Sequence, residues 1–313
     1  MRKSYFIVPS ALLLSAFSTF GFSSMPASAQ SAASPSAAST AAPSCATTVI
    51  TVNSADQGDV FPAGINKSGT VVGLFQDLSS LALTNSGFQW SGGTGQLYNY
   101  PGASETWLSS INDAGLELGS YSNSSGKWFG FYLKNGETKS FSVAGSYDTF
   151  PSGLNNHGAV VGSYDTFAGG PNVGFEMNGS TVTTIQYPGA VNTYPLAIND
   201  EGAIVGYYYD GTTEHGFLEY QNSYSKLEPA GASSSFAFGI NNGGEIVGEY
   251  RPSVNADGEG FTYLNGKDVS AVYPTATYTE LRGVNSVGDR VGDAITGSIN
   301  GYLAGPGFLL KCQ

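Results

Sequence analysis

Apolar and polar residues alternate along most of this chain in short runs, each closed by a cluster of Gly, Asn, Asp or Pro. That is the pattern of half-buried β-strands joined by tight turns, and no segment shows a sustained helical period. One run, AINDEGAIVG from Ala197 to Gly206, is written six times. Its relatives are GINKSGTVVG at Gly64, SINDAGLELG at Ser110, GLNNHGAVVG at Gly153, GINNGGEIVG at Gly239 and GVNSVGDRVG at Gly283. The marker residues Asn66, Asn112, Asn155, Asn199, Asn241 and Asn285 are separated by 46, 43, 44, 42 and 44 positions. A period in the low forties filled with short strands is that of a propeller blade. The pattern predicts an all-β, six-bladed β-propeller of four-stranded repeats, with blades starting near residues 61, 107, 150, 194, 236 and 280.

The fourth repeat shows the blade most cleanly. Strand a is expected over Tyr194 to Asn199, strand b over Ala203 to Tyr208, strand c over Gly216 to Tyr220 and strand d over Ser225 to Pro229. Between a and b, Asn199-Asp200-Glu201-Gly202 is a turn with a mechanism: Asn and Asp bond their own backbone, and Gly accepts positive φ. Strand c opens on Gly-Phe in every repeat, at Phe88, Phe131, Phe175, Phe217, Phe261 and Phe308. Strand b carries Val72, Leu118, Val161, Val205, Val247 or Val291 before its glycine, an apolar column that belongs in the core. Pro101-Gly102 and Pro188-Gly189 mark exits from strand d.

The chain ends indicate how the ring shuts. The sixth repeat stops at Gln313 after strand c, whereas Thr47 to Asn53 reads as a strand d with no blade before it. An N-terminal strand that completes the last blade removes the seam an open sheet would leave. Cys45 and Cys312 fall where the missing c-d link would be, so a disulfide is expected there. Ahead of this domain, residues 1–29 read as a secretory signal peptide: Met1 to Lys3 is basic, Tyr5 to Phe22 is apolar, and Ala27-Ser28-Ala29 precedes a cut at Gln30. Residues 30–44 are nearly all Ala, Ser, Pro, Thr and Gln, a disordered linker by composition. The domain then runs over 45–313, in an oxidising location that is secreted, extracellular or periplasmic.

Charge narrows the partners. Without Arg2 and Lys3, 10 basic residues face 24 acidic ones, a field that repels nucleic acid and anionic membrane surfaces. Forty-three glycines, nineteen tyrosines and eighteen phenylalanines fit many tight turns between aromatic strands.

The recurring G-I-N-x-x-G-x-V-V-G block followed by a Phe-opened strand, from about Phe61 to Leu310, resembles the HAF-repeat family of extracellular repeat proteins. The namesake triplet is nearest at His215-Gly216-Phe217, where Gly replaces Ala. The resemblance implies a secreted, propeller-like protein and no particular activity.

Catalytic signatures are scarce: there is no G-x-S-x-G, H-E-x-x-H, G-x-x-x-x-G-K or C-x-x-C. His157 and His215 fall on opposite faces, which argues against a shared metal, and both read as solvated loop residues. Asn255, Asp257 and Glu259 begin like a calcium loop, but Gly266 stands where the bidentate Glu belongs. Ser54 to Phe61 resembles a single sialidase Asp-box, out of its usual c-d position. No metal or cofactor is therefore expected.

More is learned where the repeat breaks its own rule. Five residues before the marker Asn stand Phe61, Trp107, Phe150, Tyr194 and Phe236, then Glu280 in the sixth repeat. Three before it stand Ala63, Ser109, Ser152, Leu196 and Phe238, then Arg282. Strand b is broken by Glu117 and Arg290. Arg251, Glu280 and Arg282 thus form either a patch for an anionic group or a glycan, or an ion pair that replaces packing in the seam blade. Trp107 and Tyr194 could stack on sugar rings or fill the wedge between blades. Asp77, Asp165 and Asp210, just after strand b, could supply acid-base carboxylates or simply hold turns. The expected role is a noncatalytic binding or interaction module for extracellular glycan or protein, acting as a monomer. The alternatives are a polysaccharide hydrolase or lyase, and a purely structural secreted protein.

Overall fold

The structure, a computed structural model, describes residues 45–52, 58–79, 84–253, 256–299 and 302–312. The expected signal peptide and linker lie outside the described residues, as do Asn255 and part of the Asp-box-like segment.

The chain opens with β1 (Cys45–Ile50) and then builds blade one from β2 (Gly58–Ile65), β3 (Val71–Asp77), β4 (Thr84–Ser91) and β5 (Thr94–Tyr98). Blade two is β6 (Glu105–Ile111), β7 (Glu117–Ser122), β8 (Trp128–Lys134) and β9 (Glu137–Phe141). Blade three is β10 (Thr149–Leu154), β11 (Val160–Tyr164), β12 (Val173–Asn178) and β13 (Thr181–Ile185). Blade four is β14 (Asn192–Ile198), β15 (Ile204–Tyr209), β16 (Glu214–Tyr220) and β17 (Ser223–Leu227). Blade five is β18 (Ser234–Ile240), β19 (Ile246–Arg251), β20 (Glu259–Leu264) and β21 (Lys267–Ala271). Blade six has β22 (Tyr278–Val284) and β23 (Arg290–Ile295), a short hairpin of β24 (Gly297–Ile299) and β25 (Tyr302–Ala304), and then β26 (Gly307–Cys312). The strand order β1-β26-β23-β22 shows the N-terminal strand completing the last blade. Its register sets Cys45 opposite Cys312 and Ile50 opposite Gly307. The protein is an all-β six-bladed propeller of antiparallel four-stranded sheets. The hairpin β24–β25 was not foreseen.

Packing explains the repeat. The six strand c phenylalanines and the six strand b apolar residues are all at most 1% exposed, so each blade contributes the same two plugs to the wedge against its neighbour. The glycine of strand b is there for close approach. A Cβ on Gly206 would collide with the carbonyl oxygen of Tyr194, and one on Gly248 would meet both Phe236 O and the Phe261 ring. The a-b turns behave as their chemistry predicts: Gly69, Gly115, Gly158, Gly202, Gly244 and Gly288 all have φ between 71 and 86°.

The marker asparagines do more than turn the chain. Each Oδ1 accepts backbone N–H groups two and four residues on, as Asn155 does from His157 (3.0 Å) and Ala159 (2.9 Å). Each Nδ2 donates to the backbone carbonyl of the next marker Asn. The donors run Asn66 to Asn112 (3.4 Å), Asn112 to Asn155 (3.3 Å) and Asn155 to Asn199 (3.0 Å). They continue Asn199 to Asn241 (3.3 Å), Asn241 to Asn285 (2.9 Å) and Asn285 back to Asn66 (3.1 Å). A closed hydrogen-bonded ring therefore ties all six blades at one end of the axis, and all six side chains are buried.

Candidate ligand cavity on the propeller axis

In every blade the pairing of strands a and b slips by one residue, at Pro62/Gly64, Leu108/Ser110, Pro151/Gly153, Pro195/Ala197, Ala237/Gly239 and Leu281/Gly283. The residue skipped is the one three places before the marker Asn. A bulge re-aims the side chain it carries, and here it turns Ala63, Ser109, Ser152, Leu196, Phe238 and Arg282 onto the axis, where all six line the same cavity. A column that runs from Ala and Ser through Leu and Phe to Arg is thus the one that faces the lumen.

This cavity holds about 140 Å³. Phe61, Trp107 and Phe150 wall it on three consecutive blades. Beyond the bulged ring the axis narrows through a collar of Ile65, Ile111, Leu154, Ile198, Ile240 and Val284, then opens at a polar mouth. At that mouth Asp113, Asn156, Asp200 and Asn242 bridge adjacent blades, as in Asn156 N to Asp200 Oδ1 (2.8 Å) and Asp200 N to Asn242 Oδ1 (2.9 Å).

Arg282 is the charged residue of the cavity wall, and its surroundings balance its charge. Its Nε donates to Asp293 Oδ1 (2.8 Å), its Nη2 to Glu280 Oε2 (2.9 Å), and its guanidinium lies 5.5 Å from the centre of the Phe238 ring. Burial works against that charge, but Glu280 and Asp293 hold the guanidinium above its ordinary pKa. In blade five, Arg251 Nε donates to Glu249 Oε1 (2.8 Å). Tyr278 joins the two halves: its hydroxyl is 2.9 Å from Glu249 Oε2 and 2.8 Å from Glu280 Oε2. The one O–H is offered to both carboxyls and serves only one at full strength, an arrangement eased by a proton on the carboxyl pair. Glu280 is 1% exposed, its Oε1 has no partner among the described residues, and burial pushes its pKa up to about 8. With that proton the two arginines balance Glu249, Glu280 and Asp293. Asp59, raised by burial to about 6, adds negative charge beside Asp293 near neutrality.

The predicted site residues separate into two groups. Trp107 lines the cavity, and Arg251, Glu280 and Arg282 belong to one network that reaches it. The ion-pair reading of that patch is realised, and Arg282 reaches the lumen as well. Tyr194 does not line the cavity. It stacks on Tyr207 at 4.6 Å in the wedge against Phe236 and Phe238. The aspartates hold turns within their own blades. Asp77 accepts from Ser79 N (2.7 Å), and that serine holds its pKa low. Asp165 is buried and accepts from Asp148 N (3.0 Å). Asp210 accepts from Thr212 N (2.7 Å) and Thr213 N (2.9 Å), and the Thr212 hydroxyl leads in depressing its pKa.

His215 corrects the solvated-loop expectation. It lies on β16, its side chain is 12% exposed, and Glu228 (2.9 Å) and Asp210 (3.2 Å) bracket its two ring nitrogens beside Tyr208. His157 is exposed as expected. Glu117 is buried, both its oxygens accept from Gln89 Nε2 (2.8 Å), and Arg290 Nε donates to Glu245 Oε1 (2.7 Å). Both breaks in strand b are thus partly buried polar pairs. Among the described residues no cluster of three or more His, Cys, Asp or Glu is arranged to hold a metal ion. Sequence reasoning missed the asparagine ring and the bulge. Six asparagines in six repeats was the signal for the ring, because a turn alone would also accept Asp or Gly.

No family model matches the chain, and no curated protein sequence does. Solved structures with a similar fold include a TolB from Agrobacterium tumefaciens, with a TM-score of 0.52 and 11% identity over 68% of this chain and 80% of that one. They also include the Aleuria aurantia lectin in complex with Fucα1-6GlcNAc, at 0.45 and 11% over 80% and 93%. A third is the propeller domain of the Trilobed protease from Pyrococcus furiosus, described as having an open velcro topology, at 0.47 and 8% over 75% and 78%. At these identities the likeness is one of fold.

Proposed function

We propose that this protein is a secreted, noncatalytic binding module of the HAF-repeat kind, which holds one end of an extracellular glycan or protein ligand in the axial cavity. The observation that carries the reading is the bulged ring. From blade to blade this strand a column changes from small to large and from apolar to charged, at Ala63, Ser109, Ser152, Leu196, Phe238 and Arg282, and the fold aims it into the lumen. At about 140 Å³ the cavity is below the roughly 300 Å³ where drug-sized sites begin, so it accepts a single ring or side chain rather than a folded surface. The dispersal of Asp77, Asp165 and Asp210 into separate turns weighs against paired acid-base carboxylates. Secretion also fits a Cys45–Cys312 disulfide: residues directly opposite in an antiparallel pair lie about 4.5 to 5.5 Å apart at Cα, within disulfide reach.

The test is retention on immobilised extracellular glycans and proteins, comparing the native chain with Ser152→Phe. The equivalent place in blade five already holds Phe238, so the backbone accepts the ring while the lumen fills. Loss of retention at unchanged melting temperature supports the reading, and equal retention removes it. Release of reducing ends from a retained polysaccharide would establish a hydrolase instead.

A further inference from the structure

From the balance of charge around Arg282 we infer that the axial cavity selects an uncharged sugar ring, stacked on Trp107 with an acceptor oxygen on the Arg282 guanidinium. The inference rests on the cavity being the binding site, as proposed above, and adds the class of ligand.

Arg282 is held at one end and open at the other. Its Nε and Nη2 are taken by Asp293 and Glu280, and Phe238 covers its face. Its Nη1 amino group meets no acceptor among the described residues, and the side chain lines the cavity. A ligand that fills this space with hydrocarbon alone leaves two guanidinium N–H groups desolvated and unpaired, which is costly. The occupant therefore carries an acceptor oxygen at that edge.

A carboxylate is the obvious partner for a free Arg, but this Arg is not free. Tyr278 offers one O–H to both Glu249 and Glu280, a geometry that favours one proton on that carboxyl pair, and with it the charges of Arg251, Arg282, Glu249, Glu280 and Asp293 cancel. Asp59 then tips the balance to negative, and the whole chain carries −12. An anion in the lumen meets a guanidinium whose charge is spent. A hydroxyl or amide oxygen accepts the same hydrogen bonds without adding charge to a closed space.

The rest of the wall fits a molecule with an apolar face and a hydroxylated edge. Phe61, Trp107 and Phe150 supply flat aromatic surface, while Ser109 and Ser152 on the bulged ring add polar edge to the same wall. A pyranose has both sides, and the cavity admits one.

The measurement is calorimetric titration at pH 7 of the full mature chain with methyl β-glucopyranoside, methyl N-acetyl-β-glucosaminide and methyl β-glucopyranosiduronate. At least one neutral glycoside is expected to bind about tenfold or more tightly than the uronate, the ratio set by one hydrogen bond to a charged group. Ser152→Phe should abolish saturable binding, and Arg282→Lys, which keeps the charge but not the free amino edge, should weaken the neutral glycoside about tenfold. Melting curves accompany both variants, and if Arg282→Lys does not fold, Ser152→Phe and the neutral-to-uronate ratio decide. A uronate that binds as well as or better than both neutral glycosides, still blocked by Ser152→Phe, overturns the charge argument and leaves the cavity as the site. Neutral binding that Ser152→Phe leaves unchanged overturns both. No saturable binding of any of the three up to tens of millimolar overturns the sugar assignment, and the retention experiment alone then tests the cavity.

Discussion

The wedge between blades four and five and the wedge around blade six use the same columns of the repeat in opposite ways. In the first, Tyr194, Tyr207, Phe236 and Phe238 close the gap with aromatic area, stacked or edge-on at 4.6 to 6.0 Å. In the second, the column that held Tyr194 and Phe236 holds Glu280, and the column that held Phe238 holds Arg282, locked with Asp293, Tyr278, Glu249 and Arg251. At these places the backbone accepts either kind of side chain, provided the volume is filled. Aromatic filling is tolerant, because each ring packs on its neighbours independently. Charged filling is all-or-none, because removing one member strands the others in low dielectric.

The sharpest way to break the second wedge is Arg282→Met. It leaves Asp293 and the Glu280–Tyr278–Glu249 group without their main cation, and about 3 to 5 kcal/mol of unfolding free energy is expected to disappear in urea titrations at pH 8. The matched change in the first wedge, Tyr194→Phe, keeps the stacked ring and should cost less than about 1 kcal/mol. Comparable losses at the two sites would end the distinction.

Blade six differs from the others a second time, since two chain ends assemble it. Its stability should respond to Cys45→Ser by about 2 to 4 kcal/mol, if a disulfide holds β1 to β26. A reductant should lower the melting temperature of the native chain and leave that of the variant unchanged. No response of either kind would mean that the ladder from Cys45 to Ile50 suffices.

Much of this was legible from spacing alone. The six Phe and six apolar columns, the turn glycines and the shared last blade follow from periodicity, which reads directly onto a strand's two faces. Expected and observed strand ends differ by one to three residues: β14 covers Asn192–Ile198 against the expected Tyr194 to Asn199, and β1 covers Cys45–Ile50 against Thr47 to Asn53. The lumen was not legible, because a bulge breaks the two-residue period at the one column that matters. Its variability marked Arg282 as exceptional without showing where it points. The asparagine ring was hidden for another reason: hydrogen bonds between repeats leave no trace in the pattern within one repeat. Asn155→Ala, which removes the one oxygen that accepts both turn hydrogen bonds and the donor to Asn199 O, should cost about 2 to 3 kcal/mol. Asn155→Asp keeps the accepting oxygen and sets a second acceptor against Asn199 O in place of the donor, so a substantial residual loss in that variant belongs to the ring rather than the turn.

The smallest effect is also the most specific to the charged wedge. Glu280 has an ordinary pKa of 4.5, and burial raises it to about 8 in the folded chain. Between those values the folded protein holds a proton that the unfolded chain has released. Folding stability therefore falls as pH rises. This contribution is complete below about 4.5, declines through the window and is gone above about 8. Facing Glu280 are Arg282 and Tyr278 on its own strand, Glu249 and Arg251 on β19, Asp293 on β23, and Asp59 beyond Asp293 on β2. Several of these titrate too, so the useful quantity is the difference between the native chain and Glu280→Gln, which keeps the shape and cannot ionise. That difference should shift by at least about 1.4 kcal/mol, one pK unit's worth, between pH 5 and pH 8, with the native chain losing ground as pH rises. In the aromatic wedge, where no carboxylate takes this place, Tyr194→Phe should show no such slope. Parallel pH profiles for native and Glu280→Gln would mean that the proton assigned to the Glu249–Tyr278–Glu280 bridge is not there, and the neutrality of the lumen around Arg282 would go with it.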